Sequence, residues 1–141
     1  MSEPTRPLPR ADELDTQAFW AATKDKEFRY QQCDSCEKIV FYPRGHCTGC
    51  TSGHLVWKVS PGVGRVYTYS VVRQSYHPFF RGKVPYAVAW IDLDDGPRIL
   101  SNIVDVRDPL KDVRIGMRVE LEWEEHEDVN IPLFKPRHDE A

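Results

Sequence analysis

The sequence predicts a mainly β protein, a short N-terminal helix and a small metal ribbon followed by a five-stranded barrel, and three observations carry that expectation. Cys33, Cys36, Cys47 and Cys50, the only cysteines of the chain, stand as two Cys-x-x-Cys pairs separated by ten residues. From Gly62 to the end the pattern is of strands only, five apolar-rich runs with turn signals between them. The one helix-like stretch, TQAFWAATKD from Thr16 to Asp25, is short. A chain of 141 residues, 40% of them hydrophobic, holds one modest core and a small metal-stapled satellite. These features divide it into an arm and short helix over 1–27, a ribbon over 28–60, and a barrel with its tail over 61–141.

The arm places Pro4, Pro7 and Pro9 among charged residues, which predicts an extended segment that stays disordered unless something captures it. Asp15 or Thr16 can cap the helix that follows. It displays Phe19 and Trp20 together with Ala22 and Thr23, and this aromatic pair either docks on the chain's own ribbon or is covered by another subunit. No apolar leader follows Met1, so the thiols are expected in a reducing cytoplasm and not in the disulfides of a secreted mini-protein. Apolar runs of only a few residues exclude a membrane-spanning helix.

In the ribbon, each Cys-x-x-Cys turn points two thiolates at one ion, and two turns complete a tetrahedral site with sulfurs about 2.3 Å from zinc. Four protein ligands leave no open position, so the expected Zn2+ folds the chain and does no chemistry. Four thiolates at this spacing also suit a one-iron electron-transfer centre, which would be red where zinc is colourless. KIVFYPR between the knuckles reads as a strand ending at Pro43, and in LVWKV the residues Leu55, Trp57 and Val59 share a face. With Tyr30, Phe41 and Tyr42 they predict a small aromatic cluster over the metal.

The barrel strands are RVYTYSVV, YAVAWIDL, RILSNIVDV, RVELEWEEH and VNIPLF. Asp94-Asp95-Gly96 between two strong runs is a hairpin signal. Val119, Leu121 and Trp123 alternate with Glu120, Glu122 and Glu124, the mark of a strand with one dry and one wet face. Five short strands without a long helix fit the oligonucleotide/oligosaccharide-binding (OB) barrel. Between its first and second strands lies RQSYHPFFRGKVP, where Tyr76, Phe79 and Phe80 sit beside Arg73, Arg81 and Lys83. In such barrels that loop is a usual ligand or partner contact; the alternative is that its aromatics fold back and plug one barrel end.

The net charge of −3 divides unevenly: residues 23–83 carry about +6 and residues 84–141 about −7. An anionic partner is therefore expected at the middle of the chain. A sequence pI near 5.9 with an acidic C-terminal part argues against nucleic-acid binding, the second use of zinc ribbons and OB barrels. Of His46, His54, His77, His126 and His138, only His77 in the aromatic loop stands where an acid or base could act. With no Gly-x-Ser-x-Gly elbow, phosphate loop or His-Glu-x-x-His motif, and with all four cysteines assigned to metal, no catalytic nucleophile is expected.

A wider set of features resembles a known family. Phe19-Trp20, the two knuckles, Pro43-Arg44, Gly62-x-Gly64-x-Val66, Pro85-Tyr86-Ala87-Val88, Ile115-Gly116 and Pro132-Leu133-Phe134-Lys135-Pro136 are similar to the acyl-CoA-associated family, over about residues 15–137. Its members pair a rubredoxin-like zinc ribbon with an OB barrel and accompany thiolase-like proteins, among them steroid side-chain aldolases. The sequence departs from the family pattern at Glu37 and Thr51, where a glycine usually follows the knuckle and supplies a positive φ. The resemblance implies a non-catalytic accessory subunit that helps bind or channel an acyl-CoA, in a hetero-oligomer with a thiolase-like partner, two of each chain. A CoA site needs cations for phosphates and a slot for adenine and the thiol arm. On this reading Arg44, Arg73, Arg81 and Lys83 with Tyr76, Phe79 and Phe80 take the acyl-CoA, and Phe19 and Trp20 take the partner. A purely structural assembly subunit is the remaining alternative.

Overall fold

The computed structural model describes residues 5–138 of the chain, so Pro4 of the predicted arm and residues 139–141 of the tail lie outside the described part. Helix α1 (Gln17–Lys24) leads into a three-stranded antiparallel sheet of β1 (Phe28–Cys33), β2 (Ile39–Val40) and β3 (Leu55–Ser60) in the order β2-β1-β3. Then come β4 (Val63–Val72), the one-turn helix α2 (Pro78–Arg81), β5 (Tyr86–Leu93), β6 (Arg98–Ile103), the one-turn helix α3 (Pro109–Asp112), β7 (Arg118–Glu125) and β8 (Asn130–Pro136). These five strands close as β4-β5-β6-β8-β7, with β6 and β8 parallel and every other pair antiparallel. That order, with a small helix between the third and fourth strands, is the OB barrel the sequence predicts. Among the described residues no helix is long and apolar enough to cross a membrane.

The barrel core is built from inward positions at period two: Val66, Ala87, Ala89, Ile91, Ile99, Ile103, Val119 and Phe134. Leu121 and Trp123 pack against it from β7, as the alternation predicts. The facing glutamates are not simply wet. Glu122 pairs with Lys135 at 2.8 Å, Glu120 with Arg137 at 3.9 Å, and Glu124 is partly buried in an ion pair with Arg6.

The glycine motif at the start of β4 has a steric cause. A Cβ on Gly64 would lie 2.3 Å from the Asp92 carbonyl, because β4 is paired there on both sides, to Leu93 of β5 and to Val119 of β7. Gly62, at φ +72°, gives its space to Leu121, whose Cδ1 would lie 2.1 Å from an added Cβ. β4 then bulges between Val66 and Thr68, which bends it enough to serve two neighbours.

Two expectations are corrected in the ribbon. KIVFYPR pairs over only Ile39 and Val40, because Phe41 turns into the barrel's core and packs on Phe19 and Phe28 at 5.8 and 5.3 Å. Among the described residues no aromatic cluster covers the cysteines; Cys33, Cys47 and Val40 pack with Leu55, and Trp57 joins the barrel core. Leu55, Trp57 and Val59 alternate along β3 as expected, and Val59 at its end is 53% exposed. The hairpin after β5 forms the joint to the barrel. Gly96 at φ +121° receives Ile39, Asp95 accepts from Ser60 Oγ at 2.9 Å, and Asp94 holds Arg118 through two 2.7 Å bonds.

We expect Gly64→Ala to destabilise the fold by about 1–3 kcal/mol, the usual range for forcing atoms into a packed site. Gly82→Ala, with open space around an added Cβ, should stay within about 0.5 kcal/mol of the parent in urea unfolding. Equal midpoints for the two variants would refute the steric account of the motif.

Candidate functional site

The two knuckles are near copies. Cys33 N–H donates to the Lys38 carbonyl at 2.9 Å and Cys47 N–H to that of Ser52 at 2.8 Å. The Cys33 and Cys47 carbonyls in turn accept from Glu37 and Thr51 N–H at 2.9 and 3.1 Å. Glu37 and Thr51 both lie at φ 66°, so the left-handed turn is kept without the glycine that ordinarily suits it. β1 and β3 carry the first knuckle, while the Gln31 amide bonds both the N–H and the carbonyl of Arg44 (2.8 and 2.9 Å) and so anchors the segment leading to the second.

The four sulfurs lie within 4.8 Å of one another, with Cys33 to Cys50 and Cys36 to Cys47 both at 3.6 Å. A tetrahedral ion with sulfurs about 2.3 Å away requires sulfur separations of about 3.8 Å, so the donor set fits a metal. Backbone N–H groups already point at sulfur: Ser35 and Cys36 at Cys33, each 3.4 Å, and Gly49 at Cys47, 3.3 Å. The Cys36 N–H, chiefly, holds the Cys33 thiol down to about 6. At Cys36 the Lys38 N–H pulls downward, but the Cys50 and Cys47 sulfurs outweigh it and push that thiol up to about 12. Four crowded sulfurs cannot all be thiolates unless a cation joins them.

The loop between β4 and β5 is ordered by its own contacts. His77 caps α2, its Nδ1 accepting from Phe79 N–H at 3.1 Å, so its ring is a turn-forming group. Phe79 and Phe80 meet edge to face at 5.0 Å, and Phe80 lies 5.7 Å from Tyr86 at the barrel wall. Both phenylalanines fold back to half-buried positions, whereas Tyr76 is 81% exposed. Lys83 Nζ sits 4.7 Å from the Phe79 ring, and Arg81 Nη2 donates to the Tyr76 carbonyl at 2.9 Å. The fold thus gathers Tyr76, Phe79, Phe80, Arg81 and Lys83 in one place. Arg73 is exposed at the start of this loop and Arg44 is exposed on the ribbon, and no contact among the described residues draws either into the cluster.

Arg6 was not marked by any sequence signal, yet it organises this region. Its guanidinium lies 4.9 and 5.2 Å from the Phe79 and Phe80 rings and forks onto the Glu124 carboxylate, which also meets His126 Nε2 at 2.6 Å. The arm is therefore captured by its own barrel. Burial pushes the Glu124 carboxyl up, but the bonds from Arg6 and His126 outweigh it and hold it below its ordinary 4.5.

Arg6 also borders an apolar cleft of about 280 Å3 between α1, the ribbon and strands β6 and β8, walled by Trp20, Phe41, Tyr42, Leu100 and Ile131. Phe19, only 4% exposed, belongs to the chain's own core, which corrects its expected place at a partner surface. Trp20, packed edge to face on it at 4.9 Å, is the more exposed half of the pair, and both rings line the cleft.

Comparison with known proteins follows these two parts. Residues 20–56 match the family model described as ChsH2, rubredoxin-like zinc ribbon domain, and residues 57–124 the model described as ChsH2, C-terminal OB-fold domain. A probable enoyl-CoA hydratase alpha subunit of Thermomonospora curvata is 35% identical over 121 residues, which is 84% of this chain but 37% of that protein, so the chain spans little more than a third of its length. A DUF35 domain-containing scaffold protein of Methanothermobacter thermautotrophicus is 35% identical, with 75% of this chain and 84% of that protein covered. Among solved structures, a chain of the Ltp2-ChsH2(DUF35) aldolase superposes with a TM-score of 0.80 at 32% identity, covering 91% of this chain and 98% of its own.

Two outcomes are expected. The purified chain should retain one metal ion, lose it as pH falls because protons compete for the thiolates, and fail to retain it as Cys36→Ser; metal analysis by mass spectrometry checks this. Arg6→Ala should weaken the fold by about 1–3 kcal/mol, the cost of leaving a partly buried charge unpaired, and free the arm to limited proteolysis. The Glu124 contribution is present above the carboxyl's ordinary 4.5 and fades as pH drops below it, so the Arg6→Ala loss should shrink in acid.

Proposed function

Since the chain belongs to the ChsH2 and DUF35 scaffold family, we propose that it is a non-catalytic accessory subunit that binds a thiolase-like partner and helps hold or channel an acyl-CoA. The observation that carries this reading is the likeness, over nearly the whole of both chains, to the subunit of an aldolase assembly named for Ltp2 and ChsH2. The hydratase name of one relative and the scaffold name of others point the same way, toward acyl-CoA chemistry performed in complexes. The ion is zinc on this reading, held by Cys33, Cys36, Cys47 and Cys50, and it supplies rigidity because a four-thiolate shell has no room for substrate.

A CoA thioester asks for cations, a flat apolar surface and a slot for its arm. Arg81 and Lys83 with Tyr76, Phe79 and Phe80 offer the first two in one loop, and Arg73 and Arg44 are exposed cations that a ligand or partner can recruit. The apolar cleft beside Trp20 has the character of the third. The rim of Trp20 is the surface assigned to the partner, in an assembly of two copies of each chain. Carbon–carbon cleavage or formation then falls to the partner, with steroid side-chain retro-aldol cleavage the preferred reaction.

Calorimetry on the assembled complex should find acyl-CoA bound at least tenfold more weakly by Arg73→Ala/Arg81→Ala/Lys83→Ala, a loss of about 1.4 kcal/mol. Unchanged affinity would remove the loop from the acyl-CoA site. Carbon–carbon cleavage by this chain alone, soluble and monodisperse, would overturn the accessory reading.

A further inference from the structure

Counting charge by segment hides a cationic site in the acidic part of the chain. Residues 84–141 hold seven basic side chains, and four of them, Arg107, Arg114, Arg118 and Arg137, line one cleft of about 420 Å3 at the far end of β7 and β8. The fold brings them together from four places. Arg107 precedes α3, Arg114 follows it, Arg118 opens β7, and Arg137 follows β8, its N–H donating to the Arg118 carbonyl at 2.9 Å. Gly116, at φ +86° with its N–H on the Val66 carbonyl at 2.8 Å, turns the chain so that Arg114 and Arg118 face one space.

The four are held differently. Arg118 is fixed by its fork on Asp94, and Arg137 lies 3.9 Å from Glu120. The side chains of Arg107 and Arg114 are exposed, and no hydrogen bond or ion pair engages either among the described residues. Of the two carboxylates in the wall, Asp112 accepts from Asp108 N–H at 2.9 Å, and Asp105 is exposed. Val106, Met117 and Pro136 supply an apolar floor. Planar guanidinium forks above an apolar floor suit phosphoryl oxygens beside a flat or aliphatic group, and the volume lies in the ordinary range of small-ligand clefts, roughly 300–1,000 Å3.

We infer that this cleft binds a compact phosphorylated ligand carrying more than one phosphoryl group, with Arg107 and Arg114 closing on it over the fixed Arg118 and Arg137. The inference stands on this cluster alone and does not depend on the acyl-CoA reading of the loop between β4 and β5. The ligand chemistry has two sources, a nucleotide bearing several phosphates or free pyrophosphate.

Calorimetry on the metal-loaded full chain at low salt, with adenosine 3′,5′-bisphosphate and with inorganic pyrophosphate as probes, tests it. The expected result is saturable binding that Arg107→Ala/Arg114→Ala weakens at least tenfold and that added salt weakens further. Tighter binding of the adenosine compound assigns the site to nucleotides, and equal binding assigns it to phosphate alone; either upholds the site. Arg107→Lys/Arg114→Lys, which keeps charge but loses the fork, should bind with intermediate affinity and the parental melting temperature. Absence of binding, or equal binding by Arg107→Ala/Arg114→Ala and the parent, overturns the inference. So does loss of the protein partner from that variant with phosphate binding intact, which would make the cleft a contact for an acidic protein surface.

Discussion

The weakly paired seam between β6 and β8 of the closed barrel governs the rest of this molecule. β6 and β8 share a single residue pair, Ile103 with Phe134, where the other barrel neighbours share three or more. Strand edges left this way expose backbone donors and acceptors and the apolar interior behind them, which costs free energy unless something covers them. The chain covers the seam with its own N-terminal elements. Asn130 at the start of β8 bonds Thr23 of α1 through its backbone N–H (3.1 Å) and its amide (3.0 Å), Leu100 N–H of β6 donates to the Tyr42 hydroxyl at 3.0 Å, and Ser101 Oγ reaches across to the Pro132 carbonyl at 2.7 Å. What the cover does not fill is the apolar cleft beside Trp20.

This arrangement makes the metal ribbon part of the barrel. Phe28 and Phe41 leave the ribbon to share a core with Phe19 and the barrel strands, and the 94–96 hairpin returns the contact through Ile39, Ser60 and Tyr30. Burial raises the Tyr30 phenol, and the neighbouring Asp95 carboxylate adds to that rise, as expected of a polar pair enclosed at a joint. A metal that orders the two knuckles therefore also positions Phe41 and Tyr42 against the seam.

Charge is likewise arranged by folding. The arm's Arg6 crosses 118 positions to Glu124 and braces the aromatic loop. The acidic C-terminal part turns its glutamates toward Lys135, Arg137 and Arg6, whereas Arg107 and Arg114 meet no carboxylate among the described residues. A segment that is negative in sum can in this way present a positive cleft.

Much of this protein was determined by its sequence alone. The cysteine spacing, the five runs at period two, the Asp-Asp-Gly hairpin and the motif glycines state local rules, namely how a turn aims two sulfurs and how a strand alternates its faces. Those rules hold whatever the rest of the chain does, so the ribbon, the OB barrel and the order of their elements were legible. The retained turn at Glu37 and Thr51 was not, because left-handed geometry there is imposed by the hydrogen bonds of the whole knuckle on residues that would not choose it. Nor was the departure of Phe41 from its strand, the burial of Phe19, the bracing Arg6, or the meeting of Arg107, Arg114, Arg118 and Arg137. Each depends on residues distant in sequence competing for one space, and only the tertiary structure decides which of them meet.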